Sequence, residues 1–203
     1  TPTFQVGRQT LLKVPLNITK NTFMPHYTLC LPRKLLPIPL ANKRHLPMKI
    51  LYICTHNRCR SILSEAITNS LSNGLLEAKS AGSQPAGEVH PLSLKYLTQA
   101  GFSTEGLSSQ SWDQFEDYHP DLVITVCDSA AGESCPAYFG KSLKVHWGLS
   151  DPSKVEGSEA EIEDAFKTCI QEITERVEQL KKIAQQNLDS TNLKHSLAAI
   201  GAR

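Results

Sequence analysis

The sequence predicts an α/β fold, a three-layer sandwich whose four-stranded parallel sheet carries helices on both faces. Short apolar runs of the kind that fill buried parallel strands recur at "MKILYIC", "LEAKSAG", "DLVITVCD" and "SLKVHWG". Segments with apolar residues at steps of three or four lie between and after them. Alternation of this kind favours parallel strands joined by right-handed crossovers, with ligands at the carboxyl ends of the strands.

The strand at 48–54 is an apolar run that suits burial on both faces. "SILSEAITNSLSN" follows with Ile62, Ala66, Ile67 and Leu71 on one helical face and stops near Gly74. "LEAKSAG" reads as a second strand, and "HPLSLKYLTQAG" as a helix with Pro91 in its first turn and Gly101 closing it. "DLVITVCD" is a third strand and "SLKVHWG" a fourth. From Ser158 onward, Ile162, Phe166, Cys169, Ile173, Val177 and Leu180 form one apolar stripe of a long amphipathic helix. Patterning weakens beyond that helix, so the folded domain is expected over 48–187 and a weakly ordered tail over 188–203.

Residues 1–47 read differently. They hold seven Lys/Arg, no Asp or Glu, no Ser and seven of the twelve prolines. Proline removes backbone donors and restricts the residue before it, so no stable core is expected there. The stretch is expected to be a disordered or non-native basic extension ahead of a natural start at Met48. Its acid-free composition leaves an organelle transit peptide as the alternative. The remaining residues carry fourteen Lys/Arg against twenty acids, and the whole chain sums to +1. That total gives no electrostatic case for a nucleic-acid or membrane partner. No apolar run nears the roughly 18 residues of a membrane span. Six cysteines in 203 residues are too sparse for a disulfide scaffold. A reducing, cytoplasmic setting is therefore expected, where paired cysteines more often do chemistry than act as staples.

The densest chemical signal is "CTHNRCRS", residues 54–61, at the joint between the first strand and its helix. Amides at a helix start lack intrahelical partners, and the helix dipole adds partial positive charge there. A loop that curls those amides inward is an anion nest, here built from Thr55, His56, Asn57, Arg58, Cys59 and Arg60. Arg60 offers a planar fork suited to two oxygens of a tetrahedral oxyanion. Asn57 suits a left-handed turn within the loop. Cys54 lies at the base of the cradle, and cations or helix N-termini favour the nucleophilic thiolate form of a cysteine. Cys59 falls on the first helical turn and reads as a small buried hydrophobe. Structural zinc favours cysteine pairs with two to four intervening residues. Cys54 and Cys59 have four between them, whereas Cys127 and Cys135 have seven, so no zinc site is expected.

A cysteine followed after five residues by arginine and serine resembles the phosphate loop of the low-molecular-weight protein tyrosine phosphatases. The resemblance spans about 48–185. It implies that Cys54 is the nucleophile, Arg60 grips the oxyanion and Ser61 hydrogen-bonds the thiolate. Through "SDPS" at 150–153 it implies that Asp151 is the general acid. The run "VCDSAAGESCP…VHWGLSDPS", with "SAGSQPAG…HP" and "EGSEAEIEDAF", is similar to the arsenate reductases built on the same fold. That similarity implies reduction of arsenate to arsenite by a three-cysteine relay, contributing to arsenic detoxification. Cys54 attacks arsenic, Cys127 attacks the Cys54 sulfur as arsenite leaves, and Cys135 moves the disulfide outward. A thiol reductant, either thioredoxin or glutaredoxin with glutathione, then restores the dithiol. Such a relay asks for a mobile segment, which the small, Gly-containing "DSAAGES" is expected to supply.

The chain also departs from the pattern. His56 stands where the phosphatases usually carry glycine, Arg58 where they carry an apolar residue, and Ser153 where they carry tyrosine. The Cys127–Cys135 spacing is one residue longer than in thioredoxin-linked members. Glu65, Ser80 and Asn57 match positions that help bind an alkali cation in some relatives. The acidic partner expected near Ser109 and Gln110 is missing, so no obligatory metal and no cofactor are expected. His146, Trp147 and Cys169 read as packing residues. The alternative reading is a phosphatase acting on phosphotyrosine or a small phosphoester. A third, a non-catalytic oxyanion sensor, sits poorly with Cys54, Arg60 and Asp151 all being present.

Overall fold

The computed structural model describes residues 46–186 and 190–201, so the expected basic extension lies, save for Leu46 and Pro47, outside the described residues. In chain order the elements are β1 Met48–Cys54, α1 Arg60–Leu71, β2 Leu76–Gly82, α2 Pro91–Gln99, β3 Leu122–Thr125, α3 Asp128–Gly132, β4 Leu143–His146, α4 Glu159–Ala184 and α5 Ser190–Gly201. The four strands pair in the order β2-β1-β3-β4, all parallel. This is the expected sheet. Its central strand explains the uninterrupted apolar run: Ile50, Leu51, Tyr52 and Ile53 are each at most 1% exposed. Both faces of β1 are therefore covered, and each such side chain contributes about 1.5–3 kcal/mol of burial.

The step from β1 to β2 runs one way across the sheet, and the steps from β2 to β3 and from β3 to β4 run the other way. Right-handed crossovers then place α1 on one face of the sheet and the strand-to-strand passage of the later connections on the other. α1 packs against α4, and α2 packs against both. The second face is covered by shorter pieces than the sequence suggests. A 3-10 turn at Trp112–Tyr118 buries Phe115, and another at Ala137–Phe139 buries Phe139. β3 also stops earlier than expected, at Thr125, because Cys127 caps a short helix.

α4 starts at a capping box, in which the Ser158 side chain accepts from Glu161 N while the Glu161 carboxylate accepts from Ser158 N. Its buried face carries Phe166, Cys169, Ile170, Ile173, Val177 and Leu180. That stripe matches the expected one, with Ile170 added and Ile162 only partly buried.

The weakly ordered tail is corrected over 190–201. These residues form α5, which packs on α4 and β4 with Leu197 at 1% and Ile200 at 3% exposure. The helix is short, at 12 residues, so its stability comes from docking rather than from propensity. Gly201 lies against β4, where a Cβ would collide with the His146 backbone oxygen. Among the described residues no helix is long and apolar enough to cross a membrane.

Candidate active site

β1 delivers Cys54 to the carboxyl edge of the sheet, and α1 begins six residues later at Arg60. The loop between them turns at Asn57, whose φ of 43° is left-handed and whose side chain is fully buried. Its carbonyls are tied outward. Gln84 N donates to Thr55 O at 2.8 Å, Ala86 N to His56 O at 2.9 Å and His90 N to Arg58 O at 2.9 Å. Each peptide's N–H points roughly opposite to its C=O, so carbonyls pulled outward turn amides inward. One of those amides, Asn57 N, stands 3.1 Å from Cys54 Sγ. Close approach of the end of β2 to the loop needs glycine at 82, where a Cβ would come within 2.6 Å of Thr55 O.

A hydrogen-bonded chain sets the polarity around the sulfur. Asn57 Nδ2 donates to Ser61 Oγ at 2.9 Å and to Ser80 Oγ at 2.8 Å, and Ser80 Oγ donates to Glu65 Oε2 at 2.7 Å. Ser61 thereby accepts from Asn57, which leaves its own hydrogen for Cys54 Sγ, 3.0 Å away. Gln110 N donates to Asn57 Oδ1 at 2.7 Å, so the Asn57 amide is engaged at both ends. Glu65 is only 4% exposed, and burial raises its carboxyl above the ordinary range, partly offset by the Ser80 hydrogen bond. Asn57, Ser80 and Glu65 thus form one hydrogen-bonded chain. Among the described residues no group of three His, Cys, Asp or Glu is placed to hold a metal ion.

Arg60 points its fork across the pocket. Nη2 lies 2.8 Å from Asp151 Oδ2, and Nη1 donates to Leu149 O at 3.1 Å. Asp151 Oδ1 accepts from Ser153 N at 3.1 Å and Ser153 Oγ at 2.6 Å. The pocket bounded by this pair and the loop encloses about 380 Å³.

Cys127 follows β3 and sits against the loop, its Sγ 3.7 Å from Thr55 Oγ1. The same sulfur accepts from Ala130 N at 3.4 Å and caps α3. The segment expected to be mobile is therefore a helical turn in this state, held at its start by the thiol itself. Cys135 is half-buried beyond α3, and neither it nor the buried Cys127 lines the pocket. Cys59 lines the pocket but is 3% exposed, and burial pushes its thiol up to about 12. Cys169 is buried on α4, where desolvation also raises its thiol. Neither suits a nucleophile at neutral pH. The described cysteines are all free.

Four pocket residues escaped the sequence reading: Ala86, His90, Ser129 and Lys154. His90 caps α2 by accepting from Leu92 N at 3.3 Å. The "HP" pair was visible in the sequence as a helix start, but its return to the loop was not.

A family model described as low molecular weight phosphotyrosine protein phosphatase matches residues 49–192. The chain belongs to that family. Members similar to this phosphatase-family chain include an arsenate reductase of Halalkalibacterium halodurans, 34% identical over 63% of this chain and 91% of its own length. A glutaredoxin arsenate reductase of Synechocystis is 27% identical over 65% of this chain and 95% of its own. Among solved structures, a thioredoxin-dependent arsenate reductase of Corynebacterium glutamicum superposes with a TM-score of 0.54 at 30% identity. It covers 70% of this chain and 64% of its own.

Proposed function

We propose that this chain reduces arsenate to arsenite by a thiol relay. The observation that carries the reading is the second thiol, Cys127 Sγ, set 3.7 Å from the hydroxyl of the residue next to Cys54. A hydrolytic phosphatase has no use for a thiol there, whereas a reductase needs one within reach of the first adduct.

Arsenate has the tetrahedral, anionic form that inward amides and an arginine fork hold well. The Cys54 sulfur bonds to arsenic as an As–O bond breaks, and Asp151 protonates the departing oxygen, which leaves as water. Cys127 then attacks the Cys54 sulfur. The S–As bond pair moves to arsenic, which becomes As(III) and leaves as arsenite, while a Cys54–Cys127 disulfide forms. Cys135 attacks Cys127, frees Cys54 and carries the disulfide to the half-exposed position. A protein dithiol of the thioredoxin or glutaredoxin type takes it from there, as the names of the similar proteins suggest.

The test is arsenite formation coupled to NADPH oxidation, with thioredoxin and its reductase in one arm and glutaredoxin with glutathione in the other. Cys127→Ser is expected to form no arsenite. Cys135→Ser is expected to give about one arsenite per chain and then stop. Absence of arsenite in both arms, beside rapid aryl phosphate hydrolysis, would turn the reading into a phosphatase.

A further inference from the structure

The pocket is larger than its oxyanion. Five heavy atoms at roughly the 30 Å³ a water occupies in the liquid fill less than half of about 380 Å³. Beyond the cradle the wall carries two cationic side chains, Arg58 and Lys154, with His90 and Ser153 beside them and Ala86 and Ser129 completing it, and no Phe, Tyr or Trp is among the lining residues. Arg58 Nε is buried and has no hydrogen-bond partner within the protein, so it is a donor that a water, an ion or a ligand can complete. His90 Nδ1 is occupied as an acceptor from Leu92 N, so its ring hydrogen sits on Nε2 as a donor. Burial, and then the Arg58 charge, lower the His90 pKa, which keeps the ring a neutral donor. The one carboxylate among the lining residues, Asp151, has both oxygens engaged, by Arg60 and by Ser153.

We propose that Arg58, His90 and Lys154 form a second anion subsite, which takes a carboxylate on the organic half of a small phosphomonoester and so directs the hydrolysis native to this family toward carboxylate-bearing esters. The subsite rests on the same oxyanion cradle as the reduction proposed above. In this reaction the Cys54 sulfur bonds to phosphorus, the ester P–O bond breaks and Asp151 protonates the departing alkoxide. Water then attacks phosphorus, releasing inorganic phosphate and returning the thiol, with no change of oxidation state. An aryl ester finds no Phe, Tyr or Trp ring to stack on. A carboxylate finds a planar guanidinium fork, an ammonium and an imidazole N–H.

Calorimetric binding of three non-reducible probes tests the subsite: inorganic phosphate, propylphosphonate and 3-phosphonopropionate. The last two differ only in a terminal carboxylate. In the wild type, 3-phosphonopropionate is expected to bind about tenfold tighter than propylphosphonate. Arg58→Met is expected to bring the ratio near one, with Lys154→Met lowering it in part. The matching kinetic arm compares kcat/KM for phosphoglycolate and ethyl phosphate, with about tenfold preference for the former. A ratio near one in the wild type overturns the subsite, as does a ratio kept by both variants. Failure of inorganic phosphate to bind removes the cradle and both proposals together. Loss of arsenite formation with the carboxylate preference intact removes only the reduction.

Discussion

Arg60 Nη2 and Asp151 Oδ2 stand 2.8 Å apart, each side chain 16% exposed, so the residues read as oxyanion grip and general acid hold each other. An incoming oxyanion competes with that carboxylate for the guanidinium. Asp151→Asn removes the competing charge while keeping the shape. Phosphate is then expected to inhibit roughly five- to tenfold more tightly, on the order of 1 kcal/mol for a partly exposed pair. Turnover is expected to fall about 10²-fold from loss of the proton donor. The phosphate inhibition constant and the rate, taken on one preparation, separate the two effects. Unchanged inhibition means that Asp151 does not restrain Arg60.

Ser61 is tested through the reactivity of Cys54 rather than through turnover. Asn57 donates to its oxygen at 2.9 Å, which aims the hydroxyl hydrogen at Cys54 Sγ. Ser61→Ala deletes that donor, worth about 1 kcal/mol. Alkylation of Cys54 by iodoacetamide at neutral pH is expected to slow roughly fivefold, read by mass spectrometry of the 48–60 region. An unaltered rate would show that the Asn57–Ser61 chain does not act on the sulfur.

Glu65 gives a pH signature. Burial raises its carboxyl, so the folded state binds that proton more tightly than the unfolded chain. Its stabilising contribution is full below the unfolded value and is lost as pH rises through the folded one. Glu65→Gln keeps an acceptor for Ser80 Oγ and removes the buried charge. The melting temperature of the variant is expected to exceed the wild type's at pH 8, the gap closing as pH falls toward the ordinary carboxyl range. A variant less stable than wild type at pH 8 contradicts this.

Gly201 tests the docking of α5. A methyl there meets the His146 backbone oxygen, which cannot rotate away as a side chain would. Gly201→Ala is expected to destabilise by about 1–3 kcal/mol, as overpacking does. Thermal unfolding measures the loss. Faster proteolysis between α4 and α5 would locate it at the undocked helix.

Much of this protein is legible in contiguous sequence. Residues 48–61 run from strand through loop to helix without interruption, so the stretch itself suggests an anion cradle with Cys54, Asn57 and Arg60, while the part of Ser61 comes from the family resemblance. The stripe of α4 is equally local, because 3.6-residue periodicity repeats over 26 residues. Helices α3 and α5 escape such reading. Five residues cannot show a period, and α5 is held by burial of Leu197 and Ile200 where it packs on α4 and β4.

Local pattern thus determines which residues belong to the loop, which runs become strands, and that a thiol meets an anion site. Tertiary structure decides the rest. It ties the loop carbonyls to 84, 86 and 90 through backbone hydrogen bonds, which carry no side-chain signature in a sequence. It sets Cys127 beside Thr55, seventy-two residues earlier in the chain, and closes Arg60 on Asp151 across ninety-one. It also buries Cys59, whose thiol, although two cysteines stand five positions apart in the loop, is raised by desolvation and left out of the chemistry. Periodicity acts through neighbours along the chain, whereas burial and long-range hydrogen bonding exist only once the sheet has brought distant segments together.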